Sequence, residues 1–98
     1  MINISNEKLL FVCLMEEAAE VQQAASKSIR FGPTNHNPRT PNKTNIDDIM
    51  MEYYQLQCIM EMLQERKILP TLTKAEIINI KKKKKKKILN ELSPGKEK

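Results

Sequence analysis

Ninety-eight residues bound the chain to one small domain. Two Tyr, two Phe and no Trp leave Leu, Ile, Met and Ala as the main apolar residues, a composition that suits helices better than strands. The formal net charge is +5, but seven consecutive lysines at 81–87 create it: the remaining ten basic residues against twelve acids give −2, so the basic character belongs to one segment.

The first eight residues are polar and lack a basic n-region, so no secretory signal is expected. Ser5 is a predicted N-cap, with Glu7 favouring the helix dipole. A helix is predicted from there to Phe31, stopped by Gly32 and Pro33. Leu10, Leu14, Ala18, Val21 and Ala25 form its expected core stripe, with Glu17 at the edge. Ala18, Ala19, Ala24 and Ala25 would let another helix approach closely. The apolar run at 9–15 is too short to span a bilayer.

Glu16, Glu17 and Glu20 place three carboxylates in five residues of this helix. Spacings of three and four put acids on neighbouring faces, where like charges repel. Buried carboxylates are costly unless paired or bound to a cation, and a hard divalent ion such as Mg²⁺ takes oxygen ligands. The plainer reading is a solvated acidic face.

Residues 32–44 form a long loop with Pro33, Pro38 and Pro41 and the single histidine, His36. Asn45 is the expected cap of a second helix over 45–66, with Ile49, Leu56, Ile59, Met60 and Leu63 on one stripe. Glu52 lies between Ile49 and Leu56, and Gln55 follows it by three. Packed antiparallel, the two helices could bring Glu17 and Glu20 opposite Glu52 and Gln55, as inward-facing carboxylates do in bundle metal sites. Lys67 to Pro70 reads as a turn. Thr73 then caps a third segment with Glu76 as its capping-box partner. Ile77, Ile80, Ile88, Leu89 and Leu92 give that segment a broken apolar stripe, and 93–98 is an expected disordered tail. The lysine block reads first as a solvated helical extension, then as a contact for phosphates or an acidic partner. A nucleic-acid-binding arm is the third reading, and the absence of interleaved aromatics and arginine argues against it. Cys13 and Cys58 stand apart in apolar contexts and read as small buried hydrophobes in a reducing compartment, so a cytoplasmic protein is expected, with no membrane partner.

The stretch EEAAEVQQAASKSIRFG at 16–32, followed by NIDDIMMEYYQLQCIMEML at 45–63, resembles the all-α nucleoside triphosphate pyrophosphatases, the MazG-like group, and most of all their short phage and viral members. The likeness covers residues 5–70 or so and is more specific in its first segment. It implies one helical domain over 1–92, an antiparallel helical bundle completed by oligomerisation as a homodimer or homotetramer, and a setting in the host cytoplasm if the protein is viral. It also implies Mg²⁺-dependent cleavage of a nucleoside triphosphate between the α and β phosphates, with Mn²⁺ as an alternative ion. Glu17, Glu20 and Glu52 are the implied metal ligands, with Gln55 a weak fourth where the family has Asp. Glu16 and Glu17 are the implied catalytic acids, Glu16 orienting water.

Lys27, about two turns beyond Glu20, is suitably spaced for the far phosphates. Arg30 and Lys43 join it as expected substrate contacts, and Tyr54 or Tyr53 could flank a base, although one of them should pack in the bundle. His36 and Arg39 read as ordinary surface groups. No Ser-His-Asp or Cys-His pattern offers a covalent mechanism, and two glycines leave no phosphate loop. Two other functions remain: a nucleotide-sequestering protein that lost efficient turnover, motivated by Gln55, and a purely structural oligomer that leaves the acid cluster unexplained.

Overall fold

The computed structural model describes residues 4–36 and 38–92. It is helical, with α1 (Asn6–Phe31), α2 (Asn45–Glu65), α3 (Lys74–Glu91) and no strand among the described residues. The expected tail at 93–98 lies outside those residues. No helix among the described residues is long and apolar enough to cross a membrane.

α1 starts and stops where the sequence signals it. The Lys8 N–H donates to Ser5 Oγ at 3.2 Å, and Glu7 sits in the first turn. At the far end Gly32 takes a φ of 95°, a conformation that L side chains rarely adopt, and its N–H donates to the Ser28 carbonyl at 3.0 Å.

The loop that follows is tied to both helices. Asn45 holds it: its backbone N–H donates to the Asn35 carbonyl at 2.8 Å and its side-chain amide to the Gly32 carbonyl at 2.7 Å. Asn45 is buried, and these bonds satisfy it there. Ile46 N–H reaches the Pro33 carbonyl at 3.1 Å, and the Asn35 side-chain amide donates to the Phe31 carbonyl. The start of α2 is thereby fixed against the end of α1, so α2 runs back antiparallel along it. The cap of α2 is Thr44, not the expected Asn45. Thr44 and Asp47 form a full capping box, with the Thr44 N–H donating to Asp47 Oδ2 at 2.9 Å. The box frees Asn45 for the loop.

α1 and α2 pack on each other and form the folded body. The seam on α1 is Leu10, Cys13, Leu14, Glu17, Val21 and Ala24, all buried or half-buried. Ala18 and Ala25, expected in the core, are exposed. Steps of four residues drift by about 40° each, so a stripe through 10, 14 and 18 leaves the contact face, whereas alternating steps of three and four stay on it. That drift moves Glu17 from the stripe's edge into the seam. On α2 the seam is Asn45, Asp48, Ile49, Glu52, Leu56, Ile59 and Leu63, while Met60 and Cys58 are exposed. Among the described residues only Leu10, Ala24 and Leu63 are buried apolar side chains, while Ile29 is 86% and Met15 71% exposed.

α2 ends in a Schellman turn. Ile68 N–H donates to the Leu63 carbonyl at 3.0 Å and Lys67 N–H to the Gln64 carbonyl at 2.9 Å, which requires Lys67 to adopt a φ of 60°. α3 then begins at the expected capping box, Thr73 N–H to Glu76 Oε1 at 2.9 Å and Glu76 N–H to Thr73 Oγ1 at 3.1 Å. It packs against neither α1 nor α2 and buries no residue. Ile77, Ile80, Ile88, Leu89 and Leu92, the expected apolar stripe, are all exposed.

Candidate functional site

The antiparallel pairing of α1 and α2 gathers carboxylates from both helices at mid-seam. Glu17 and Glu52 are half-buried, and one oxygen of each, Glu17 Oε2 and Glu52 Oε2, is buried without a hydrogen-bond partner. An unsatisfied buried oxygen is costly, more so when it carries charge. The Glu52 carboxyl is accordingly held above its ordinary value, first by burial and then by repulsion from Glu20, Glu17 and Asp48; Lys43 pulls it the other way.

A cleft of about 120 Å³ opens beside these acids, lined by Glu20, Gln23, Ala24, Lys27, Asp48, Met51 and Glu52. A second, larger cavity of about 330 Å³ lies toward the loop, lined by Lys27, Phe31, Asn35, His36, Pro38 and Asn45. Lys27 lines both. One side is acidic and narrow, the other roomy and edged by an aromatic ring and amides.

Of the expected ligands, Glu20 and Glu52 line the narrow cleft, and Glu17 lies near enough to Glu52 to act on its carboxyl without lining that cleft. Gln55 is exposed and lines neither cavity, because a step of three from Glu52 turns it off the seam. Asp48 occupies the α2 side instead, one turn before Glu52 on the same face. Asp48 was not singled out from the sequence; its spacing of four from Glu52 was the available signal. Glu16 is exposed on α1, outside both cavities.

Among the expected substrate contacts only Lys27 lines either of these cavities. Arg30 is exposed and sits over the Phe31 ring, 4.9 Å from its centroid. Lys43 is exposed, with Nζ 3.3 Å from Met51 Sδ, near enough to the acids to influence Glu52. Tyr53 and Tyr54 pack edge to face on each other at 5.0 Å, exposed and away from both cavities. Phe31 and His36 line the larger cavity; Phe31 was read only as a helix end and His36 as an ordinary surface group, because helix-end and loop positions carry no periodic signal.

The donor chemistry suits a hard divalent cation: four carboxylates from two helices, two of them with orphaned buried oxygens. As they stand, the side chains do not converge fully, since among the described residues no three His, Cys, Asp or Glu groups are close enough to hold a metal together. Compared with protein-family models, curated proteins and solved structures, the chain matches none.

Proposed function

We propose that the protein is a Mg²⁺-dependent nucleoside triphosphate pyrophosphohydrolase, releasing nucleoside monophosphate and pyrophosphate. The observation that carries this reading is the pair of buried, partnerless oxygens of Glu17 and Glu52, flanked by Glu20 and Asp48. Such an arrangement is unfavourable for the empty fold and favourable for a bound cation. The likeness of residues 16–32 and 45–63 to the MazG-like group supports the same chemistry. Glu17, Glu20, Asp48 and Glu52 would hold the ion, which when bound supplies charge neutralisation for phosphates and a polarised water.

The residues of the chain then divide the remaining work. Lys27, common to both cavities, binds the phosphate chain where it passes from the acids toward the loop. The larger cavity receives the nucleoside against Phe31, with Asn35 and Asn45 along its wall. The ionised form of Glu52 is the ligand, so its raised proton affinity makes ion binding compete with protonation. A core of three buried apolar side chains among the described residues, with others such as Met15 and Ile29 left exposed, supports self-association through the helix faces.

One observation favours a second reading. The carboxylates do not converge as a three-ligand set, which suits a protein that binds nucleotide and turns it over poorly or not at all. Pyrophosphate release from a panel of nucleoside triphosphates with Mg²⁺ or Mn²⁺, measured beside nucleotide-binding calorimetry, separates the two. Ion-dependent release that Glu52→Gln abolishes is the expected result. Tight nucleotide binding without release leaves the sequestering reading, and neither binding nor release contradicts both.

A further inference from the structure

The lysine block is not absorbed by the acidic cleft, and its setting in the fold is unusual. α3 packs on neither other helix, and every residue from 71 to 92 is exposed. Eight lysines against two glutamates give α3 (Lys74–Glu91) a charge of +6, whereas seven basic against nine acidic residues give 4–73 a charge of −2. The two glutamates are at the ends: Glu76 is engaged by Thr73 in the capping box, and Glu91 is the last helical residue. Between them no acid interrupts residues 77–90.

Seven consecutive lysines on a helix do not form a face. At about 100° per residue they point in seven directions, and the widest sector without a lysine is about 60°. Such a girdle is poorly matched to a flat anionic surface. A helix lying on a membrane needs a broad apolar face opposite its cations, and here the lysines at 81, 84 and 85 occupy the same side as Ile77 and Ile88. The girdle does match a ligand that surrounds it with negative charge. The major groove of B-form DNA is about 12 Å wide, admits one α-helix of about 10–12 Å diameter, and is walled on both sides by phosphates. The missing aromatics and arginines, which argue against single-strand stacking and base reading, have no bearing on phosphate contact.

We propose that α3 is a sequence-independent arm for duplex DNA, seated in the major groove with lysines of the 81–87 block reaching phosphates on both walls. Juxtaposed lysines at spacings of three and four repel one another along the free helix. Phosphates relieve that repulsion, so binding also raises the helicity of α3. The acidic body is repelled from the same phosphates, which leaves the contact to the arm. A-form RNA, whose major groove is deep and narrow, is a poorer fit.

The test uses the full chain and a labelled random-sequence DNA duplex, followed by fluorescence anisotropy across salt concentration. The slope of log K against log salt is expected to be near −0.9 for each phosphate neutralised, so roughly −4 to −6 for this arm. Two triple variants divide the girdle: Lys81→Gln with Lys84→Gln and Lys85→Gln on one side, and Lys82→Gln with Lys83→Gln and Lys86→Gln on the other. Glutamine keeps a similar helix propensity, and circular dichroism checks it. Contact with both groove walls requires each triple variant to flatten the slope by a similar amount, about two to three units. A flattened slope in one triple variant with the other unchanged overturns the groove placement. Tighter binding to vesicles of anionic phospholipid, or equal binding to single-stranded DNA or duplex RNA, overturns the choice of ligand. These two comparisons need no variant at all.

Discussion

The hairpin of α1 and α2 and the arm of α3 are built from the same helical chemistry and held in opposite ways. The hairpin depends on tertiary contact: a seam of half-buried side chains, a loop tied by Asn45, and one fully buried residue, Leu63. The arm depends on local contact alone: a capping box at Thr73 and Glu76, and good helix formers after it. The hairpin is acidic and pays for its site with unsatisfied carboxylate oxygens; the arm is basic and exposes its charge to water. The contrast teaches where function can be stored. Charge buried in a seam is unfavourable while it is unpaired, whereas charge on a free helix is tolerated in water.

The largest expected effect breaks one side of this comparison. Leu63→Ala should destabilise the hairpin by about 2–5 kcal/mol, because Leu63 is 0% exposed in a core of three apolar residues. Urea unfolding should register the loss. Next comes the ion. If the cleft binds Mg²⁺ only when folded, 100-fold excess over Kd should stabilise the hairpin by about 2.7 kcal/mol, several degrees in Tm. Calorimetry with and without Mg²⁺ measures it, and Glu20→Gln should remove most of it.

A pH series sharpens the contrast further. Glu52 has its folded value raised above the ordinary 4.5, so its contribution to stability is fully present at acid pH and is lost as pH rises through that raised value. The capping acids Asp47 and Glu76 are lowered by their bonds to Thr44 and Thr73, so their contributions appear above their ordinary values and fade as pH falls. Without metal, Glu52→Gln should make the hairpin more stable near neutral pH and flatten the decline above pH 4.5, leaving the acid-side loss from the caps. Chemical denaturation at a series of pH values reads both limbs. The smallest expected effect is at the junction. Lys67 holds a φ of 60°, so Lys67→Gly should stabilise the end of α2 by roughly 1 kcal/mol.

What was legible in the sequence follows the same division. Signals that act within four residues were read correctly: Ser5, Gly32, and the Thr73–Glu76 box all stand where their types and spacings put them. The three helices followed from them. The seam was harder, because a drift of about 40° per four-residue step separates a face that packs from one that does not. Ala18 and Ala25 were therefore misplaced, Glu17 was set at the stripe's edge instead of in the seam, and Asp48 was not singled out. Asn45 was read as a cap because its loop bonds to Asn35 and Gly32 span ten and thirteen residues. The solitude of α3 was not legible, since its broken stripe of isoleucines looks the same packed or unpacked.

Asp48 and Glu52 form the α2 side of the proposed cation site, with Gln55 outside it. Titrating Mn²⁺ into the protein and counting the free ion by electron paramagnetic resonance tests this directly. Asp48→Asn is expected to weaken Mn²⁺ binding by about tenfold or more, and Gln55→Asp to leave it unchanged. Unaltered binding in Asp48→Asn together with tighter binding in Gln55→Asp would contradict the account.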